Sequence, residues 1–173
     1  MKEKIDDMEN RERRLNLKFI GFAEQVEKRD ARVFITNAIQ VMWPDIVFPK
    51  GLEIEQAHRL GALHLPAAGQ TAPKPHPIIA RFLRFQDKES IMAAARRARG
   101  IWDREEISVY PDFSKAVNEK RALFNPCKKL LHQKGREFAL SYPATLVIFG
   151  VNGVGRRTFD EHRKAHDYIK SLV

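Results

Sequence analysis

Ile107-Ser-Val-Tyr-Pro-Asp-Phe-Ser-Lys-Ala-Val-Asn-Glu-Lys-Arg121 closes one lobe of the chain and opens another. Ile107 and Val109 alternate as a strand does, and Tyr110-Pro111 ends the ladder because proline has no amide to donate. Asp112 or Ser114 can then cap a new helix. The stretch therefore predicts a boundary: a compact α+β unit over 15–113, a smaller one over 114–173, and a helical tail over 1–14.

Upstream, Leu15, Leu17 and Phe19 share one face of a first strand, with Asn16 and Lys18 on the other. Asp30 caps a helix in which Ala31, Phe34, Ile35, Ala38, Ile39 and Met42 follow the helical repeat up to Trp43-Pro44. A second strand is expected over Leu52 to Arg59. The Pro- and Gly-rich run from Gly61 to Pro77 reads as a long loop. Ile78 to Phe85 reads as a third strand, Gln86 to Arg99 as a second helix and Ile107 to Tyr110 as a fourth strand. The order β-α-β-β-α-β is that of a split βαβ sandwich with both helices on one face, as in the RNA-recognition motif.

Downstream, Val117, Phe124, Cys127 and Leu131 share a helical face, which Gly135 ends. Pro126 should kink or split that helix near Leu123, at a cost of about 3 kcal/mol unless the turn is already irregular. Phe138–Tyr142 and Thr145–Phe149 are strand-like around Pro143. Asn152-Gly153 signals a hairpin to a short return strand ending at Phe159, and a last helix runs from Asp160 to about Leu172. At the other end, Ile5, Met8 and Leu15 have a/d-like spacing but Glu12 interrupts it. These residues fit either the frayed end of a coiled coil or a solvated helical tail.

The chain has 173 residues, 43% of them hydrophobic, enough for one medium domain or two small ones. Its 31 Lys and Arg against 22 Asp and Glu give a formal charge of +9, which attracts nucleic acid first and an anionic membrane surface second. No apolar run is long enough to span a bilayer, and the first twenty residues are too charged for a signal peptide, so a soluble intracellular protein is expected. Cys127 has no second cysteine to pair with and reads as a small buried hydrophobe.

Motifs of catalysis are absent: no glycine-rich phosphate loop, Gly-x-Ser-x-Gly turn, HExxH or CxxC occurs. No catalytic residue and no cofactor is assigned. His162 and His166 stand four apart on the last helix and could bind a metal with Cys127 or His132, yet paired ligands on both sides are lacking, and a solvated basic face explains them better. Gly150, Gly153 and Gly155 read as hairpin glycines. Basic residues recur where a sheet face or loop would present them: Arg13, Arg14, Lys18, Arg59, Arg81, Arg84, Arg96, Arg97, Arg99 and Arg104. Such a run is either a solvated face or a phosphate-binding surface, and arginine, whose planar fork grips phosphate at two points, favours the latter. The usual stacking aromatics of an RNA-recognition motif are missing, since Asn16 stands on the first strand and aliphatics on the third. Phosphate contacts should then dominate.

Several pieces resemble the first open-reading-frame protein of LINE-type retrotransposons: Asp7 to Gly21, Ala57-His-Arg59, Pro77-Ile-Ile-Ala-Arg81, Ala94-Ala-Arg96, Pro111-Asp-Phe-Ser114, Glu119-Lys-Arg-Ala122 and Leu140-Ser-Tyr-Pro-Ala-Thr-Leu146. The resemblance covers nearly the whole chain, in order. It implies a trimer built from a coiled coil, a noncanonical RNA-recognition motif and a small C-terminal domain, coating RNA and acting as a nucleic-acid chaperone. It also implies RNA contacts at Arg14, Lys18, Arg59, Arg81, Arg96, Arg121 and Tyr142. Thr145 stands where such proteins usually have lysine, and the coiled coil is almost absent.

On the residues alone, Tyr142 fits core packing as well as base stacking, and Arg121 could pair with Asp112 or Glu119 as well as bind RNA. The resulting expectation is a two-lobe α+β protein that binds single-stranded RNA and single-stranded DNA along a basic cleft, in cytoplasmic or nuclear ribonucleoprotein. Arg97 joins the residues above as a contact, and self-association would run through the upstream coiled coil. The alternative is a protein-interaction module whose charge serves solubility alone.

Overall fold

The computed structural model of the chain describes residues 2–62, 68, 69, 71, 73–151 and 154–172, so the Asn152-Gly153 hairpin signal and part of the 61–77 loop lie outside the described residues. Among the described residues it is an α+β protein with six helices and antiparallel sheets. It divides into two compact units, residues 7–112 and residues 1–6 with 113–173.

Helix α1 (Lys2–Arg13) is polar along most of its length. Ion pairs one turn apart, Asp7–Arg11 at 3.0 Å and Glu9–Arg13 at 2.7 Å, reinforce it, with the acid N-terminal to the base as a helix prefers. Ile5 and Met8 are exposed.

The larger unit holds β1 (Asn16–Ile20), α2 (Ala31–Met42), β2 (Ile54–Arg59), β3 (Ile78–Phe82), α3 (Phe85–Arg97), β4 (Gly100–Trp102) and β5 (Glu105–Pro111). The strands lie in the order β2-β3-β1-β5-β4. Asp30 caps α2, its carboxylate accepting from the amides of Arg32 at 2.9 Å and Val33 at 3.3 Å. Leu17, Phe19, Ile78, Ala80 and Phe82 turn to one face of the sheet and are fully buried with Ile35, Ala38 and Ile39 of α2 and Ile91 of α3, so both helices pack on that face. Trp43 ends α2 and anchors on the start of β4: its indole donates to the Ala98 carbonyl at 3.0 Å. A Cβ on Gly100 would lie 2.7 Å from Met42 Sδ and 2.8 Å from the Trp43 ring, which reserves the position for glycine.

Strand β4 has no counterpart among the sequence expectations. It forms a hairpin with β5 through Asp103 and Arg104, both at positive φ. Two such residues make the turn whose twist suits a hairpin, normally signalled by Asn-Gly or Asp-Gly. Arg104 disguises it.

The smaller unit holds α4 (Lys115–Ala122), α5 (Asn125–Gln133), β6 (Phe138–Ser141), β7 (Thr145–Phe149), β8 (Arg156–Phe159) and α6 (His162–Ser171), with the strands in the order β6-β7-β8. Ser114 caps α4 by accepting from the Val117 amide at 3.3 Å. The long helix expected after Ser114 is two helices, and Pro126 lies in the first turn of the second, where no amide partner is needed. Its expected cost is thereby avoided. Gly135, at φ 60°, stops α5: its amide reaches the His132 carbonyl at 3.1 Å, and that of Arg136 the Leu131 carbonyl at 3.0 Å, the paired bonds of a Schellman stop. Phe124, Cys127 and Leu131 pack with Leu146, Ile148, Ala165 and Ile169 as the core of this unit.

Replacing Phe82 with Ala should lower stability by about 3–5 kcal/mol, because the ring is wholly enclosed and its neighbours cannot collapse into the space. Urea unfolding followed by circular dichroism checks this; a midpoint unmoved at unchanged slope would contradict the packing described.

Candidate nucleic-acid interface

Strand β1 sets the candidate face of the larger unit. With Leu17 and Phe19 buried beneath the helices, the alternate residues Asn16, Lys18 and Ile20 lie on the opposite face. Register carries that face across four strands. One row runs His58, Ile79, Lys18, Tyr110, and the next runs Gln56, Arg81, Asn16. Tyr110 is 54% exposed, an aromatic on the sheet face that the sequence reading missed. The alternation of Ile107 and Val109 inward already placed it there.

Around this face the predicted residues have different amounts of charge left to offer. Lys18 lies 2.9 Å from Asp112, whose side chain is fully enclosed and also accepts from Arg13 at 3.2 Å and Asn16 at 3.1 Å. Asn16 serves this buried carboxylate through its side-chain amide. One negative charge there faces two positive ones. Arg81 keeps part of its fork free, with Nε on Glu55 at 2.8 Å and one Nη donating to the Glu12 carbonyl at 3.0 Å. Arg14 is exposed and rests its guanidinium 4.3 Å from the Phe85 ring centre, a contact that orients it without consuming its donors. On α3, Arg96 is exposed with no ion pair among the described residues, and Arg97 lies 3.5 Å from Asp45 with two thirds of its side chain in solvent.

Arg59 has another task. Its Nε donates to Glu27 Oε1 at 2.8 Å, and one Nη donates to the carbonyls of Phe22 at 3.1 Å and His76 at 2.7 Å. The other Nη donates to the Ala23 carbonyl at 2.8 Å and to Glu27 Oε2 at 2.5 Å. All five N–H donors of the guanidinium are used, which leaves none for a phosphate. The side chain ties the segment after β1 to the end of the 61–77 loop. Glu24 reinforces the tie, accepting from the His76 amide at 2.6 Å. The hydrogen bonds from Arg59 hold the Glu27 carboxyl below its ordinary range against the opposing effect of burial.

In the smaller unit, Arg121 does not pair with Glu119. It donates to three carbonyls of the β6–β7 turn, Leu140 at 3.0 Å, Ser141 at 3.2 Å and Pro143 at 3.0 Å, and lies 4.7 Å from the Phe113 ring centre. Two of its five donors remain, and no carboxylate among the described residues pairs with it. Burial lowers its pKa. Lys128 on α5, which the sequence reading missed, is pushed down by burial and then by the Arg121 charge. It follows Arg121 by seven residues but across the break between α4 and α5, so helical spacing did not signal that the two charges are neighbours. Tyr142 belongs to the same group: its ring lies tilted against Phe113, centroids 5.7 Å apart, and it is 56% exposed. That is a surface ring with a supported side, a geometry suited to stacking.

Cys127 is buried and burial raises its thiol pKa, which fits the small-hydrophobe reading. Among the described residues, no three His, Cys, Asp or Glu side chains converge on a point a metal could occupy.

Removing Arg59 should unfold rather than merely discharge. Arg59→Ala strands a mostly enclosed Glu27 carboxylate and is expected to cost about 3–5 kcal/mol in chemical denaturation, with Arg59→Lys recovering only part because lysine lacks the planar fork that reaches all these acceptors at once. The pH dependence has a definite sign. A carboxyl held below its ordinary value of about 4.3 contributes stability that is complete above that pH and lost as the pH falls through the lowered value. Arg59→Ala should therefore flatten the acid limb of the stability profile, and an unchanged limb would contradict the clamp.

No protein-family model matches the chain. It is 26% identical over 179 residues to LINE-1 type transposase domain-containing protein 1 of Mus musculus, an alignment covering 99% of this chain and 22% of that protein. The chain thus spans about a fifth of the length of the curated relative it matches. The likeness, distant but running through both units, supports kinship with LINE-related proteins.

Proposed function

We propose that this chain binds single-stranded RNA and single-stranded DNA with little sequence preference, as the nucleic-acid-coating and chaperone part of a retrotransposon-related protein. Arg121 and Lys128 carry the reading. They are partly buried, repel each other and have no carboxylate among the described residues to neutralise them, an arrangement that a phosphate oxyanion relieves. Tyr142 beside them supplies a surface on which any base can stack.

The larger unit supports the same reading. Its central strand order β2-β3-β1-β5, with α2 and α3 on one face, is the arrangement expected of an RNA-recognition-motif-like sandwich, and β4 extends it at one edge. On the face away from the helices, Lys18, Arg81 and Tyr110 lie in adjacent rows. A single tyrosine on β5, with an asparagine on β1 and aliphatics on β3, gives weak base contacts beside phosphate contacts. Weak contacts let strands exchange, which is what a chaperone needs. We read the chain as a binding protein and not an enzyme, working in cytoplasmic ribonucleoprotein, and we read the exposed Ile5 and Met8 of α1 as the apolar seam through which the complete protein would form trimers.

The test is fluorescence anisotropy with a labelled single strand of about 30 nucleotides across a salt series, where log K should fall with a slope of about −0.7 per phosphate neutralised and equally for unrelated sequences. Arg121→Ala combined with Lys128→Ala should make that slope shallower, and Tyr142→Ala and Tyr110→Ala should each cost about 1–3 kcal/mol of binding with little effect on the slope. Absence of binding at the lowest salt, or strong preference among sequences of equal length, would overturn the reading and favour a protein-interaction module.

A further inference from the structure

At the far end of β7 from the turn that Arg121 holds lies a pocket of about 240 Å³, lined among others by Arg136, Phe149, Gly150, Arg156, Arg157 and Tyr168. Among the described residues, Arg136, Arg156 and Arg157 all line it, no Asp or Glu does, and none of the three arginines has an ion-pair partner. Many other arginines are neutralised. Arg13, Arg59, Arg81, Arg84, Arg97 and Arg99 each lie against a carboxylate. Like charges around one concavity repel, and an anion entering from outside relieves that repulsion.

The pocket is also built. Arg157 lies with its guanidinium 5.0 Å from the Tyr168 ring centre, which fixes the fork while leaving its N–H donors available. Arg136 follows directly on the Schellman stop of α5, so its backbone is set by two hydrogen bonds. Gly150 closes the other side: its amide donates to the Gly155 carbonyl at 2.9 Å, and a Cβ there would lie 1.8 Å from the Val154 carbonyl oxygen. Only glycine permits that close crossing, and the crossing brings Arg156 and Arg157 back beside Arg136.

We propose that this pocket is a second phosphate site, holding a phosphoryl group of the same polynucleotide strand whose other contacts are made at Arg121, Lys128 and Tyr142. The inference rests on the nucleic-acid reading above. With β7 of five residues rising about 3.3 Å each, the two sites stand roughly 13 Å apart along the sheet, within reach of a short single strand. The chemistry is that of bidentate guanidinium–phosphate contacts, and the phosphate is either an internal diester or a terminal monoester.

The test compares the full chain with a variant carrying Arg136→Ala, Arg156→Ala and Arg157→Ala. Each is titrated with the same short single-stranded RNA bearing a 5′-phosphate or a 5′-hydroxyl, across a salt series. The variant is expected to bind both strands more weakly, with a salt slope shallower by about 0.7 for each phosphate no longer neutralised. A 5′-phosphate advantage present in the wild type and abolished in the variant assigns a terminal phosphate; equal losses on both strands assign an internal one. A triple Lys variant, which keeps the charge and loses the forks, guards against misfolding: it should recover most of the salt slope and only part of the affinity. Independently, the amide resonances of Gly150 and Gly155 in the wild-type chain should shift on adding the RNA. Wild-type affinity and slope in a triple Ala variant of unchanged melting temperature, or unmoved glycine resonances, would overturn the second site and leave the first standing. No binding by the wild type would overturn both.

Discussion

Strand β1 constrains the larger unit more than any other element. It pairs with β3 on one side and β5 on the other, so its period of two is imposed on both neighbours. Leu17 and Phe19 have no exposed surface, and a slip of one residue would put Asn16 and Lys18 under the helices and both apolar side chains in water. The register that buries the core is thus the same register that sets Lys18, Arg81 and Tyr110 on one face. Core and candidate interface are two sides of one decision.

The excess of positive charge is distributed unevenly. Many arginines of the larger unit are matched locally, some by surface pairs that contribute little to stability and one, Arg59, by an enclosed network that holds two segments together. Across the smaller unit, Arg121, Lys128, Arg136, Arg156 and Arg157 have no such match among the described residues. A count of basic residues treats these groups alike; their partners separate them. Net charge speaks to the kind of partner, whereas unmatched charge speaks to where that partner would touch.

Much of the fold was legible because it follows from periodicity and from turn chemistry that needs few contacts. The cap at Asp30, the apolar stripe of α2, the break at Pro126 and the stop at Gly135 all rest on local rules, and the structure realises each of them. Strand β4 was not legible: it has three residues, and its turn uses Arg104 in a left-handed conformation that sequence patterns reserve for glycine. The candidate site was legible as a set of basic positions but not as a set of free donors. Nothing in Ala57-His-Arg59 reveals that three backbone carbonyls and a carboxylate converge on that guanidinium, since they come from segments some seventeen to thirty-seven residues away. Lys128 and Tyr110 were passed over for the opposite reason, because their places on a helix and a strand looked ordinary.

Cys127, enclosed between α5 and the carbonyl of His162 on α6, gives the smaller unit an internal reporter. A thiol reagent attacks only the exposed thiolate, and both conditions are denied while these helices stay packed. As the chain has one cysteine, labelling at that sulfur timestamps openings of the smaller unit and no others. This one buried sulfur turns ordinary core packing into a clock for local breathing, readable without altering a single residue.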